Sequence, residues 1–512
     1  MSESTTPAPV TGTCDAPPSR GPALIVIGSL LIGLAVRGYV VVQPPASSTV
    51  WDHHEYVRWG VLMHEEGFAA LYDHPPRESL MWNREAGAAG HGRHPEHFIR
   101  ETCNYPPLAG CLLYVQMRAL HAFDPTLTSN TVSARVIYAL LSILGDCLVA
   151  AGCWALARRF ASPLTAAAVF AVVVLVPPFI IDSARWTQTD SWVLAPMVWV
   201  LWAMVSRRWV VGGILWGIAL GLKTQAVLFA PVWAFAFVLG PQRRRMVLAG
   251  LLAMVILFGP SVPFTLHSGM KWFQEAFVNN LSTKYVLTTL KAFNLWYVDL
   301  LICDDLDASQ RLLGLEKDTW GKLMLAAVLI GSAVLIGRRR ASVRSPIVVF
   351  TAVMLLAAVI FPTRVHERYI ILPIPFLIIV AAWRRRLWLA LVPFLVAATV
   401  QMTALDWLGR SHGAGSWPVW LESNKGRHLE TLEREYEDLR AALPPEEFAR
   451  LAPPQEYLER ECRARYLAFR AEAAPKEWAL TVVELLSAGA LFVLLLVPLD
   501  RPPNAKPVRD GE

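Results

Sequence analysis

The sequence predicts an all-α polytopic membrane protein with about 12 transmembrane helices and large extracytoplasmic loops. Its 512 residues are 54% hydrophobic and only 17% charged, with a mean hydropathy of +0.40. An ordinary soluble domain carries about 25% charged residues. Many apolar runs also reach the roughly 17–25 residues that a helix needs to cross a bilayer. These observations exclude a disordered chain, a fibrous protein and a small disulfide-stapled domain.

The apolar runs give the order of the predicted elements. Residues 1–21 are polar and rich in Ser, Thr and Pro, which predicts a disordered cytoplasmic tail. The predicted spans are 22–42, 134–157, 163–183, 191–206, 209–223, 225–240, 246–264, 320–337, 345–361, 369–383, 387–405 and 478–498. Residues 22–405 therefore form a transmembrane module, 406–477 an extracytoplasmic helical segment, and 478–512 the last helix with a cytoplasmic tail.

The positions of the basic residues predict the sidedness of the loops. Arginines cluster between the apolar runs, for example at 243–245, 338–340 and 384–386. Such clusters are typical of cytoplasmic loops. The net charge of +6 therefore indicates membrane topology, and we expect no nucleic-acid partner. Both termini are then cytoplasmic, and the first loop, 43–133, lies outside.

One stretch of the first loop, 106–123, is apolar and helical in pattern but contains Gln116, Arg118 and His121. If this stretch crossed the membrane, every later arginine cluster would change sides. We therefore expect it to be interfacial or re-entrant.

Polar clusters lie at five places on the predicted outer face. The first begins at Asp52, just after the first span, and includes Glu55 and Trp59. The others are Asn104 to Leu108 with Tyr105, Asp182 to Asp190 with Trp186 and Gln188, Lys223 to Gln225, and Arg364 to Tyr369 with His366, Glu367 and Arg368. Charged groups close to a membrane are costly, so their common sidedness predicts a functional site.

These side chains suit transfer of a sugar from a glycosyl phosphate. Cationic side chains can hold the phosphate through charge-assisted hydrogen bonds; the candidates are Lys223, Arg364, His366 and Arg368. Asp52 can act as a general base that takes the proton of an acceptor hydroxyl. Direct displacement with a single base inverts the anomeric carbon, and the apolar bundle can accommodate a lipid tail on the donor.

Six short motifs occur in order between residues 22 and 400. They are Asp52 with Trp59, Tyr105 to Leu108, Gln188 with Asp190, Lys223 to Gln225, Asn294 to Trp296, and His366 to Arg368. With these motifs the chain resembles the GT-C superfamily of integral-membrane glycosyltransferases. Within it, the chain looks most like the dolichyl-phosphate-glucose-dependent glucosyltransferases and their bacterial relatives.

The resemblance implies a GT-C-like bundle and an inverting enzyme that uses a polyprenyl-phosphate sugar donor. The enzyme would move a hexose, glucose or mannose, to a lipid-linked or glycan acceptor on the non-cytoplasmic face, with Asp52 as the base. The implied substrate-binding residues are Glu55, Trp59, Tyr105, Trp186, Gln188, Asp190, Gln225, Asn294, Trp296 and Glu367. No metal or other cofactor is implied, and membrane lipids are expected partners.

The chain departs from the family pattern in two places, which leaves the acceptor open. The first loop contains a His-rich stretch (His74, His91, His94 and His97), and the part after residue 406 has no counterpart in the resemblance. Ala- and Arg-rich composition leads us to expect a bacterial plasma membrane rather than the endoplasmic reticulum.

Two other interpretations remain open on the sequence. One is a transporter or flippase of a lipid-linked or anionic substrate, with Asp146 or Glu484 as a coupling residue. The other is a non-catalytic scaffold protein. Large polar loops and the absence of an internal repeat favour the enzyme over the transporter, and the presence of Asp52 favours it over the scaffold.

Overall fold

The computed structural model describes residues 20–43, 50–73, 102–129, 131–282, 288–290, 292–303, 308–339, 345–407, 435–444 and 454–497. It is 81% helical, which confirms the prediction of an all-α membrane protein. The predicted N-terminal tail, the His-rich stretch and most of the segment 406–453 lie outside the described residues.

The helices are numbered along the chain. They are α1 Gly21–Val42, α2 Val50–Glu65, α3 Pro107–Phe123, α4 Val132–Ala157, α5 Pro163–Leu175, α6 Pro177–Ile180, α7 Asp190–Val205, α8 Trp209–Leu222, α9 Ala230–Leu239, α10 Arg243–Phe258, α11 Val262–Ser268, α12 Lys271–Phe273, α13 Asn280–Ser282, α14 Leu295–Cys303, α15 Lys317–Arg338, α16 Pro346–Ile360, α17 Ile374–Ala381, α18 Trp388–Trp407 and α19 Pro454–Leu496.

Short 3₁₀ and π turns and four two-residue strands connect these helices. The turns are Phe68–Tyr72, Ile181–Arg185, Thr224–Phe229, Gln274–Asn279, Glu367–Ile371 and Arg385–Leu387. The strands are β1 Thr289–Leu290, β2 Arg311–Leu312, β3 Leu315–Glu316 and β4 Val365–His366. Strand β1 pairs with β4 in parallel, and β2 pairs with β3 antiparallel.

Five helices in the described ranges are long and apolar enough to cross a membrane, or up to seven if each of two bent pairs is one span. The predicted count of about 12 spans is therefore not confirmed. The predicted spans 191–206, 209–223 and 225–240 are themselves short, and the structure has apolar helices of 10–17 residues at these places. A bend of 45° also divides the predicted span 163–183 into α5 and Pro177–Arg185.

Glycines allow the central helices to approach one another closely. A Cβ atom on Gly217 of α8 would lie 2.6 Å from the carbonyl oxygen of Ala253 in α10. A Cβ atom on Gly145 of α4 would lie 2.9 Å from the Cβ of Ser191 in α7. Small residues of this kind permit tight helix packing inside membranes. This packing brings the first turn of α7 against the middle of α4.

An ion pair between Arg37 of α1 and Asp146 of α4 is buried at this level of the bundle. Arg37 Nε donates to Asp146 Oδ2 at 2.9 Å, and both side chains are 1% exposed. Ser183 donates to the same oxygen at 2.6 Å, and Ser191 donates to Oδ1. Asp146, whose charge would be costly in an apolar bundle without partners, therefore joins α1, α4 and α7.

Helix α3 coincides with the stretch that we predict to be interfacial or re-entrant, and it is not among the candidate spans of the described ranges. Gln116 is buried and donates to the carbonyl oxygens of Ile137 and Tyr138 in α4 at 3.2 and 3.1 Å. The amide nitrogen of Gln116 is thus satisfied by protein. Whether α3 enters the membrane stays a prediction.

The last helix, α19, is 43 residues long and continues through the boundary that we predict at residue 477. Its part from Ala474 to Leu496 is a candidate membrane span. Helix α19 packs against α18, α14 and α16. The predicted extracytoplasmic segment and the last span therefore share one helix.

Candidate active site

Helix α2 presents four side chains to one cavity of about 180 Å³. Asp52, Glu55, Tyr56 and Trp59 follow the spacing i, i+3, i+4 and i+7, which places side chains on one face of a helix. The other lining residues are Asn104, Tyr105, Lys223, Thr224, Gln225, Asn280, His366, Arg368 and Tyr369. Residues from four of the five polar clusters of the sequence therefore meet in this cavity.

The carboxylate of Asp52 is held by two donors and is 32% exposed. Its Oδ2 atom accepts from Arg368 Nη1 at 2.6 Å and from Gln188 Nε2 at 2.8 Å. Two fixed donors orient a carboxylate, and its exposed part faces the cavity that it lines. Asp52 is thus both positioned and accessible to a small molecule.

A chain of hydroxyl groups supports Gln188 from below the cavity. Tyr56 donates to Gln188 Oε1 at 2.8 Å, and its oxygen lies 2.9 Å from the hydroxyl of Tyr105. Thr189 donates to the Tyr105 hydroxyl at 3.1 Å. Burial raises the pKa of Tyr56 well above its usual value, and the neighbouring Tyr105 and Asp52 raise it further. Tyr56 therefore stays protonated and keeps its donor role.

Asp190 lies beneath the cavity and forms ion pairs with two cations of the cavity wall, Lys223 and Arg368. It is 0% exposed at the first position of α7, and its Oδ1 atom is 2.5 Å from Lys223 Nζ. Its Oδ2 atom is 3.4 Å from Arg368 Nε. A carboxylate at the N-terminus of a helix is also favoured by the helix dipole. Asp190 thus acts as a buried anchor for Lys223 and Arg368.

The break after α8 is what directs Lys223 into the cavity. Lys223 has an extended backbone (φ −158°, ψ 141°) between α8 and the 3₁₀ turn Thr224–Phe229. Its ammonium group lies 5.4 Å from the centre of the Tyr105 ring, within the range of a cation–π interaction. The helix break and Asp190 together fix the position of this cation.

Arg368 is 10% exposed and joins the two carboxylates of the site. Burial lowers the pKa of Arg368, but the carboxylates of Asp52 and Asp190 outweigh burial and raise it well above its usual value. Arg368 is therefore a permanent cation. Its planar guanidinium is suited to bind a phosphate with more than one hydrogen bond.

Strand pairing positions the segment that contains His366 and Arg368. In the β1–β4 pair, Thr289 lies opposite Val365 and Leu290 opposite His366. Gln401 of α18 then donates to the carbonyl oxygen of Glu367 at 2.6 Å. The segment is thus fixed from two sides, with His366, Arg368 and Tyr369 in the cavity wall.

Arg364 and Glu367 do not line the cavity. The guanidinium of Arg364 lies 3.6 Å from Asp318 at the start of α15. The Glu367 side chain is 11% exposed, and its Oε2 atom lies 4.0 Å from His366 Nδ1. Of the four cations that we predict to bind phosphate, the structure brings Lys223, His366 and Arg368 together.

Asn294 and Trp296 support the site from outside the cavity wall. Asn294 is buried, donates to the carbonyl oxygen of Pro362 at 3.2 Å and accepts from the backbone NH of Trp296 at 3.1 Å. The indole of Trp296 donates to the carbonyl oxygen of Phe361 at 2.7 Å. These bonds fasten the start of α14 to the segment that precedes His366. Trp186 is likewise buried and outside the wall.

Several lining residues were missed at the sequence level. Tyr56, Asn104, Thr224 and Tyr369 lie inside the polar clusters, and helical spacing from Asp52 is a signal that points to Tyr56. Asn280 has no such signal, because only the folding of the long loop brings it to the cavity. In the sequence it is seen only as the first residue of an Asn-Leu-Ser sequon.

Within the ranges that the structure describes, no group of three or more His, Cys, Asp and Glu side chains is placed to hold a metal ion. The four histidines of the His-rich stretch lie outside those ranges.

Residues 187–289 match the family model described as ALG3 protein. That family consists of mannosyltransferases of the endoplasmic reticulum in the GT-C class, which use dolichyl-phosphate-sugar donors. The match includes Gln188, Asp190, Lys223 and Asn280 and excludes Asp52. No curated protein matches the chain.

The match supports a GT-C glycosyltransferase with a dolichyl-linked sugar donor, but not the glucosyltransferase branch. Nothing favours the transporter alternative. The ALG3 family is usually found in the endoplasmic reticulum, so the expected preference for a bacterial plasma membrane is not supported.

Proposed function

We propose that the chain is an inverting glycosyltransferase. It moves a hexose, glucose or mannose, from a polyprenyl phosphate to a lipid-linked or glycan acceptor on the non-cytoplasmic membrane face. The observation that carries this proposal is the 2.6 Å contact between the carboxylate of Asp52 and the guanidinium of Arg368 in one cavity wall. Transfer from a glycosyl phosphate requires a base for the acceptor and cations for the phosphate within one cavity. The match to the ALG3 family supports the same class of donor.

The reaction is a single displacement. The acceptor hydroxyl attacks the anomeric carbon, and Asp52 takes the hydroxyl proton. The bond between that carbon and the phosphate oxygen breaks, and its electron pair leaves with the polyprenyl phosphate. Lys223, His366 and Arg368 stabilise the departing phosphate through charge-assisted hydrogen bonds. The carboxylate of Asp52 also favours the oxocarbenium-like transition state.

The displacement also determines where the base and the cations act. Inversion requires the acceptor hydroxyl to attack the anomeric carbon from the side opposite the departing phosphate. In this scheme Asp52 therefore acts on one side of the sugar, and the cations that bind the phosphate act on the other. The hydrogen bond from Arg368 Nη1 to Asp52 Oδ2 holds the base in position.

An apolar groove beside the cavity supports a lipid-linked substrate. The groove has a volume of about 490 Å³ and lies between α3, α4, α7 and α8. Leu222, which lines the groove, directly precedes Lys223, which lines the cavity. An isoprenoid chain gains free energy when it packs on such a surface. The polar cavity thus suits the phosphate of the substrate, and the neighbouring apolar groove suits its isoprenoid tail.

The test is a transfer assay with the full chain in nanodiscs. Polyprenyl-phosphate glucose and polyprenyl-phosphate mannose are offered separately with a pool of membrane-lipid acceptors. Because a general base contributes about 10²–10⁴-fold to the rate, Asp52→Asn should lower transfer by that factor. Asp124→Asn is the matched control, since Asp124 bonds to Thr126 and does not line the cavity. Full activity of Asp52→Asn would overturn the mechanism.

A further inference from the structure

Part of the cavity wall consists of neutral carboxamide side chains. Asn104 precedes α3, Gln225 follows the break after α8, and Asn280 begins α13. We call these three residues the amide wall. None of them is charged, whereas Asp52, Lys223 and Arg368 supply the charges of the same cavity.

Hydrogen bonds hold Asn104 and Asn280 of the amide wall in place. The hydroxyl of Thr224 donates to the carbonyl oxygen of Ala276 at 2.6 Å, so its oxygen is left to accept. It accepts from Asn280 Nδ2 at 3.2 Å. Asn104 Nδ2 in turn lies 3.5 Å from Asn280 Oδ1. Asn280 therefore has a fixed orientation, and its amide joins two chain segments that are far apart in sequence.

One acceptor of the amide wall lacks a hydrogen-bond donor in the described part of the chain. The Oε1 atom of Gln225 is buried and has no partner there. A buried acceptor without a donor is unfavourable, so a ligand that supplies an O–H group gains affinity at this point. A phosphodiester has no O–H group to donate. Sugar hydroxyls donate and accept, and carboxamides do the same.

We propose that Asn104, Gln225 and Asn280 bind hydroxyl groups of the transferred hexose and set which hexose the enzyme accepts. The inference rests on the proposed function, because it assigns the sugar subsite of the same cavity. The charged residues then recognise the phosphate that all donors share. The amide wall distinguishes donors that differ only in the orientation of a hydroxyl group.

The proposal implies that the sequon Asn280-Leu281-Ser282 is not glycosylated. A glycan on Asn280 Nδ2, the atom that donates to Thr224, would occupy the cavity that Asn280 lines. The proposal therefore requires that Asn280 stays unmodified in the active protein.

The experiment compares two donors with the full chain in nanodiscs. The ratio of kcat/KM for polyprenyl-phosphate glucose to that for polyprenyl-phosphate mannose is measured for wild type, Asn280→Ala and Gln225→Ala. Because a site that bonds a hydroxyl discriminates by its hydrogen bonds, each variant should change the ratio by at least about fivefold. Asn279→Ala is the matched control, since Asn279 bonds to Glu275 and lies outside the cavity wall.

Ser282→Ala separates sugar binding from glycosylation, because it removes the sequon and keeps Asn280. When the protein is made in cells that glycosylate, wild type and Ser282→Ala should have the same mass and the same donor ratio. A larger mass for the wild type that Ser282→Ala loses would show that Asn280 carries a glycan, and would overturn the inference.

Donor affinity for the Asp52→Asn variant, measured by quenching of tryptophan fluorescence, gives a readout that needs no turnover. If Asn280→Ala and Gln225→Ala leave both the kcat/KM ratio and the affinity ratio unchanged, the amide wall does not select the sugar. In that case the proposed function still stands, provided that wild type transfers the sugar and Asp52→Asn does not. If wild type neither binds nor transfers either donor, the proposed function and this inference both fail.

Discussion

Two aspartate–arginine pairs of similar geometry occupy different surroundings in this protein. In the bundle, Asp146 pairs with Arg37 at 2.8 Å, and both side chains are 1% exposed. In the cavity, Asp52 pairs with Arg368 at 2.6 Å, and Asp52 is 32% exposed. Each carboxylate also accepts from neutral donors, Ser183 in one case and Gln188 in the other.

The difference lies in what can reach the carboxylate. Asp146 is enclosed, and both of its oxygens accept hydrogen bonds from side chains of the bundle. Asp52 lines a cavity, so a substrate can approach it. An aspartate–arginine pair is thus structural where it is enclosed, and the proposed function assigns a catalytic role to the pair in which one partner is exposed. Burial distinguishes the two roles better than residue type does.

The largest expected effect comes from breaking the enclosed pair. Asp146→Ala leaves Arg37 as an uncompensated buried charge, which should lower the free energy of unfolding by about 3–5 kcal/mol. Denaturant midpoints in detergent micelles measure this change. The double substitution Arg37→Met with Asp146→Leu should restore most of the loss, because no unpaired charge remains.

Asp52→Ala is the contrasting variant, and it should change the free energy of unfolding by less than about 1 kcal/mol. Arg368 keeps Asp190 as a partner, and Asp52 is partly solvated. Equal destabilisation by Asp146→Ala and Asp52→Ala would contradict the distinction between the two pairs.

A smaller effect is expected from removing the cation of the exposed pair. Under the proposed function, Arg368→Ala deletes a charged hydrogen bond to the donor phosphate, and such a bond contributes about 1.5–3 kcal/mol. The KM for the polyprenyl-phosphate donor should therefore rise by about 10–100-fold. Steady-state kinetics with a saturating acceptor measure this change.

Arg364→Gln provides the control from the same segment. Because Arg364 lies beside Asp318 and outside the cavity wall, its loss should change the donor KM by less than about twofold. If Arg364→Gln raises the KM as much as Arg368→Ala does, Arg364 reaches the donor during turnover.

The smallest expected effect concerns His54, on the same helix as Asp52. Burial, together with the nearby Arg58 guanidinium, lowers the pKa of His54 to about 3. The unfolded chain, with a pKa of about 6.5, binds the proton at higher pH than the folded chain. Stability is therefore fully present above about pH 6.5 and falls as the pH drops toward 3.

From pH 7.5 to pH 5.5, wild type should lose about 1.4 kcal/mol more of its unfolding free energy than His54→Gln does. Denaturant midpoints at the two pH values measure the difference. The variant keeps a side chain that can bond to Ser129, the partner of His54. An identical pH dependence of wild type and His54→Gln would show that His54 does not stay neutral in the folded chain.

The all-α class and the segments that meet at the cavity are predictable from the sequence. Apolar runs and helical spacing are local properties, so they identify α1 and the cavity-facing side of α2. The break at Lys223 is predictable as well, because the predicted spans end at 223 and begin again at 225, and in the structure α8 ends at Leu222 before the 3₁₀ turn Thr224–Phe229. The count of about 12 spans is not confirmed, because several of the predicted spans correspond to helices of only 10–17 residues.

The contacts within the site depend on long-range packing, which sequence patterns do not contain. Asp190 and Gln188 are predicted to bind substrate, yet the structure places Asp190 beneath the cavity and Gln188 against the Asp52 carboxylate. Arg364 and Arg368 are four residues apart and of the same type. Only the path of the chain after β4 separates the arginine beside Asp318 from the one beside Asp52.

The pairing of Asp52 with Arg368 has a consequence for synthesis of the chain. The two residues are 316 positions apart. At about 5–20 residues per second, a ribosome adds Arg368 roughly 15–60 s after Asp52. During that interval the nascent chain has the carboxylate but not its guanidinium partner. A product that terminates before residue 368 therefore lacks Arg368 and part of the cavity wall. The cavity can assemble only after most of the chain has been synthesised.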